Sequence, residues 1–135
     1  MNKKKYTIAQ ILPALNTGGV ERGVVEISKA LVENNFRSIV ISSGGHMVSQ
    51  ITRNGGIHYN LNVHSKNPLK WPKIRNQLKI ILKNENVDLI HFCSRAPAWI
   101  GVPLGAVLDI PIITSVHMRF RKSNLFKKYY NSILT

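Results

Sequence analysis

Two short segments concentrate the residue types that bind anions or handle hydroxyl groups. In the first, Gly18-Gly19 is followed at once by Glu21 and Arg22 and by a helical pattern. Glycines let backbone N–H groups approach a phosphate, and the amino end of a helix adds a partial positive charge. The same pair also suits a plain strand-to-helix turn, and spacing does not separate the two readings. Glu21 complements the helix dipole and is able to accept a substrate hydroxyl, while Arg22 is able to pair with phosphate. Both also read as solvated first-turn residues. The G-x-G-x-x-G and G-x-x-x-x-G-K-[ST] fingerprints are absent, which weakens dinucleotide and P-loop chemistry.

The second segment is His91-Phe92-Cys93-Ser94-Arg95. Strand alternation turns Cys93 toward the core and leaves Ser94 the better residue to reach a ligand. No base and orienting acid pair with Cys93, so covalent catalysis has no support. His91, Cys93 and His117 supply only three ligands in no usual zinc pattern, so no metal site is assigned. His117 closes the run Thr114-Ser115-Val116-His117. A histidine there polarises or positions a substrate group, or serves the structure alone. His46, His58 and His64 have no comparable placement.

The elements that must position these residues follow from apolar periodicity. Runs at 6–12, 38–42, 57–61, 87–92 and 110–116 are short, rich in Ile and Val, and lack strict polar alternation, as expected of strands covered on both faces. Val20, Val24, Ile27 and Leu31 form one helical face ending near Asn34-Asn35. A short helix over 47–53 stops at Gly55-Gly56. A third carries Trp71, Ile74, Leu78 and Leu82 on one side, and a fourth spans 98–108. The alternation predicts an α/β, Rossmann-like, doubly wound parallel sheet in the order 3-2-1-4-5. Ligands of such sheets sit beyond the carboxyl ends of the strands where winding reverses, here between strands one and four. The glycine loop and the His91–Arg95 segment then face one crevice.

The chain has 135 residues and 15.2 kDa, enough for one domain with a core of its own. Nineteen Lys+Arg against six Asp+Glu give +13, which favours anionic partners: nucleic acid, acidic lipid or a phosphorylated substrate. A single cysteine excludes a disulfide framework and fits a reducing compartment. The opening residues lack the apolar stretch of a secretory signal, and Pro97, Pro103, Pro111 and Asp109 interrupt the most membrane-like window. Near the end, Arg119, Arg121, Lys122, Lys127 and Lys128 interleave with Phe120, Leu125, Phe126, Tyr129 and Tyr130. That pattern fits a helix on an anionic membrane surface, a core-packing helix with a solvated basic face, or, less well, RNA contact.

Taken in order, "ILPALNTGGVERGVVEISKAL", "VDLIHFCSRAPAWIG" and "IPIITSVHM" resemble the N-terminal domain of glycosyltransferase family 4. The "GGVER" and "VDLIHFCSR" combination looks especially like bacterial enzymes of lipopolysaccharide or other surface-polysaccharide synthesis. The resemblance implies a retaining, GT-B enzyme of hexosyltransferase type. Such enzymes move a sugar from a nucleotide-sugar donor to a hydroxyl acceptor, lipid-linked or saccharide, with no obligatory metal or other cofactor. It implies that Gly18 and Gly19 approach the donor phosphates or the transferred sugar, and that His117 lies beside that sugar. Ser94 and Arg95 would line the cleft, and Glu21 and Arg22 would meet the acceptor. The family's E-x7-E motif is not in this sequence. The expectation is therefore an incomplete N-terminal half, with a Rossmann-like domain over 1–118 and the start of its remainder over 119–135. It would be inactive without a C-terminal domain, and cytoplasmic, with a peripheral place on the inner membrane face open to it. The rival readings are a basic nucleic-acid-binding module, though no RNA-recognition or helix-turn-helix signature is present, and the remnant of a split gene.

Overall fold

A computed structural model of the chain describes residues 5–16, 18–63, 67–93 and 95–115. Five strands and four helices alternate: β1 (Thr7–Ile11), α1 (Gly19–Glu33), β2 (Arg37–Ser42), α2 (Val48–Arg53), β3 (Ile57–Asn60), α3 (Trp71–Asn84), β4 (Leu89–Phe92), α4 (Arg95–Leu108) and β5 (Ile112–Thr114). A 3-10 turn, Pro68–Lys70, leads into α3, with the Asn67 side chain accepting from Leu69 N. All strand pairs are parallel, in the order β3-β2-β1-β4-β5, as predicted. Among the described residues no helix is long and apolar enough to cross a membrane.

The sheet is covered on both faces, which explains its apolar strands. On one face Ala9, Ile11, Ile39, Ile41, Ile90 and Phe92 pack against α3 and α4 through Ile74, Leu78, Leu82 and Leu104. Phe92 is fully buried, and α4 crosses it where Gly101 has no side chain: a Cβ there would lie 2.5 Å from the ring. On the other face Leu12, Val40 and Cys93 meet α1 and α2 through Val24, Val25 and Ile51.

Helix α1 departs from the predicted face. Its buried residues are Val24, Val25 and Ser28, whereas Ile27 is 42 % exposed. Ser28 Oγ meets Ser38 Oγ of β2 at 2.6 Å in the buried interface. Ser28 thus takes the inward place and Ile27 the outward one. The helix closes as expected, with Asn34 as C-cap and Asn35 in the left-handed region at φ 72°. Helix α4 begins three residues before its predicted start. Four strands are shorter than the apolar runs that predicted them, and β2 begins one residue earlier, at Arg37.

Candidate functional site

The carboxyl ends of β1 and β4 lie side by side, because Ile11 pairs with Phe92 and Cys93 N donates to Ile11 O at 2.8 Å. The β1 loop leaves this edge along the loop after β2. Leu12 N donates to Ile41 O, Ser43 N to Pro13 O and Leu15 N to Gly44 O, at 3.1, 2.8 and 2.8 Å. Ser43 Oγ also donates to Pro13 O at 2.7 Å, and Met47 N to Leu15 O at 2.9 Å. Gly45 adopts φ +141°, and a Cβ on it would overlap the Leu15 carbonyl. This second glycine pair, Gly44-Gly45, aims the β1 loop, and sequence reasoning missed it. Its sequence signal is a Gly-Gly one residue removed from the end of a strand.

Gly18 is the N-cap of α1 and accepts from Arg22 N at 3.0 Å. Its φ of 178° is ordinary extended backbone, so glycine is not required there by conformation. What it permits is the close fold-back of Glu21: a Cβ on Gly18 would lie 3.1 Å from Glu21 Cδ. The carboxylate thus occupies the positive end of the helix dipole, the place an anion would take. A hydroxyl donating to Glu21 fits this arrangement better than a phosphate beside it. Gly19 is different, being exposed, and a Cβ on it would meet nothing within 4 Å. Arg22 is exposed in the same first turn.

Across the crevice, His91 Nε2 and Ser115 Oγ lie 2.9 Å apart, joining the ends of β4 and β5. Ser115 N donates to Phe92 O at 2.9 Å, which fixes the same junction. Cys93 is buried as the sequence suggested, and burial pushes its thiol up to about 12, so it stays protonated at neutral pH. Gly19 and the pair His91 and Cys93 line a single small cavity of about 50 Å³, so the glycine turn and the end of β4 do share one hollow. Ser94, His117 and the basic residues Arg119, Arg121, Lys122, Lys127 and Lys128 lie outside the described residues, as does the side chain of Arg95. Among the described residues no three His, Cys, Asp or Glu are grouped to hold a metal ion.

Larger hollows lie elsewhere. One of about 450 Å³ runs between α1 and α2 along Glu26, Lys29 and Arg53. Another of about 460 Å³ lies at the amino edge of the sheet by Asn86, Asp88 and Asp109. Both are open surface depressions, and neither touches the switch point where an open parallel sheet gathers its ligands.

Sheet order and crevice together define a Rossmann-like domain of the kind found in GT-B glycosyltransferases. A glycosyltransferase from Rickettsia africae ESF-5 superposes with a TM-score of 0.80 at 39 % identity, over 98 % of this chain and 35 % of that one. MurG from Acinetobacter baumannii gives 0.66 at 16 % identity, over 90 % of this chain and 39 % of that one. UDP-GlcNAc 2-epimerase from Neisseria meningitidis, solved bound to UDP-GlcNAc, gives 0.53 at 13 % identity, over 95 % and 37 %. The last two share the fold. The chain thus spans little more than a third of the length of these proteins. No curated protein matches it. The model of Glycosyltransferase Family 4 matches residues 17–135, and the chain belongs to that family.

Proposed function

We propose that the chain forms the acceptor-side wall of the active cleft in an enzyme that moves a sugar from a nucleotide-sugar to a hydroxyl acceptor. The observation that carries this is the family match over residues 17–135. It is joined by a carboxyl-edge crevice where Gly19 and His91 line one hollow. Glu21, held over the amino end of α1, accepts the acceptor hydroxyl, and Arg22 beside it pairs with an anionic group of the acceptor or donor. Glu21 folds over Gly18, and Gly19 leaves backbone open to the transferred sugar of the donor. His117, three residues beyond β5, is proposed to lie against the transferring sugar, with Ser94 and Arg95 lining the cleft opposite Glu21.

The acceptor is a lipid-linked or saccharide intermediate of lipopolysaccharide or another surface polysaccharide, and the basic segment 119–128 holds the chain on an anionic inner membrane face. Half a cleft cannot orient donor against acceptor, so this polypeptide alone transfers little or no sugar. A complementing domain with the E-x7-E motif would supply the rest.

The test is incorporation of labelled sugar from a panel of nucleotide-sugars into bacterial membrane lipid. It is run with the chain alone and with a separately expressed E-x7-E domain. Label is expected only in the second arm. Label from the chain alone contradicts its inactivity, and no label in either arm with any donor contradicts the transferase reading.

A further inference from the structure

Helix α1 carries glycines at 19 and 23, one turn apart, and crowding requires neither: a Cβ at either position meets nothing within 4 Å. Glycine is a poor helix residue. Here it opens a void instead of relieving a clash. The void is the 50 Å³ cavity, walled by Gly19, Gly23 and Ile27 of α1, by His91 and Cys93, and by Gln10 of β1. Gly19 and Ile27 are exposed, so the cavity is reached from the surface beside them.

Gln10 is 0 % exposed, mid-strand, in a central strand of the sheet. Its Nε2 donates to Val24 O at 3.3 Å, which fixes the amide's orientation, since a carbonyl oxygen there would face another acceptor. Its Oε1 is left buried with no hydrogen-bond partner among the described residues. Orphan acceptors of this kind are rare in folded interiors because nothing replaces the lost water. The Cys93 thiol does not serve it, because Sγ donates to His91 O at 3.7 Å. His91 is the register partner of Gln10 on the neighbouring strand, with Nε2 engaged by Ser115 Oγ.

We propose that this cavity is a hydroxyl subsite: it receives one uncharged, hydrogen-bond-donating arm of a sugar ligand, whose O–H donates to Gln10 Oε1. The proposal rests on the glycosyltransferase reading and adds a subsite to it. Size allows a hydroxyl or hydroxymethyl group, because whole-ligand pockets measure about 300–1,000 Å³. A phosphate is excluded, since its oxygens would meet Gln10 Oε1 acceptor to acceptor. An ammonium group finds no carboxylate in the lining. An apolar arm would leave Gln10 as unpaired as before.

The test uses the 15N-labelled chain titrated with methyl α-glucoside, methyl α-mannoside, methyl α-galactoside and methyl N-acetylglucosaminide. The side-chain amide of Gln10 and the backbone amides of Gly19 and Gly23 are followed. With at least one glycoside these signals move together and saturate, and Gln10→Leu and Gly23→Ala each weaken binding at least about tenfold. Gly23→Ala places its Cβ in empty space and should melt several degrees higher, so its loss of binding is not unfolding. Unchanged affinity in Gln10→Leu makes the cavity a packing void or a water site and overturns the proposal. Shifts elsewhere at the carboxyl edge without Gln10 or Gly23 overturn the subsite while the transferase reading stands. No shift with any glycoside overturns the subsite too, and the transferase reading then rests on the labelled-sugar assay.

Discussion

Glu85, which caps α3, shows how a single carboxylate ties elements together away from the site. It accepts from Arg37 Nη2 of β2 at 2.6 Å and from the Tyr59 phenol of β3, while Arg37 Nη1 donates to its backbone carbonyl at 3.2 Å. The Tyr59 and Arg37 hydrogen bonds hold the Glu85 carboxyl below its ordinary value. A depressed carboxyl contributes stability above its unfolded value and loses it as pH falls through the acid range. Glu85→Gln should therefore cost about 1 kcal/mol at neutral pH, kept modest by the solvent exposure of Arg37, and the gap to the parent should close as pH is lowered toward 3. Denaturant melts at several pH values check this, and a pH-independent gap would count against it. Gly18, Gly19 and Glu21 stand out in the sequence by their chemistry. Gln10 and Gly23 do not. Gln10 sits inside an apolar run, and its orphaned oxygen arises only from packing β1 against α1 and β4.

At the scale of elements, the carboxyl edge depends on loops held by backbone contacts. Gly45 combines φ +141° with contact against the Leu15 carbonyl, so Gly45→Ala should destabilise by about 1–3 kcal/mol and displace the β1 loop. Calorimetry measures the first effect and amide shifts at Leu15 and Asn16 the second. A variant with parental stability and an undisturbed loop would contradict this role. Strand order was legible because Ile- and Val-rich runs alternating with helical periods leave few parallel topologies. Strand ends were not, since apolar loop residues such as Leu12 and Leu61 continue the same pattern beyond the ladder. On α1, Val24 is buried and Val20 packs inward as the periodicity predicts, but Ile27 is exposed and Ser28 is buried against Ser38, a polar contact invisible to hydropathy.

At the scale of the whole molecule, +13 is a long-range field more than a set of contacts. The proposed membrane role predicts cosedimentation with anionic liposomes that exceeds retention on RNA at matched ionic strength and weakens as salt rises. Equal or stronger RNA retention would reverse that preference. Charge alone named no partner; the residues proposed to select one, 119–128, lie outside the described part of the chain.

Sugar ligands are proposed to engage the carboxyl edge between β1 and β4. Hydrogen–deuterium exchange of the chain with millimolar UDP-glucose tests that engagement directly. Protection is expected only at residues 12–24 and 90–93. Protection instead along Asn86–Asp88 and Val107–Ile110 at the amino edge, or between α1 and α2, would contradict it.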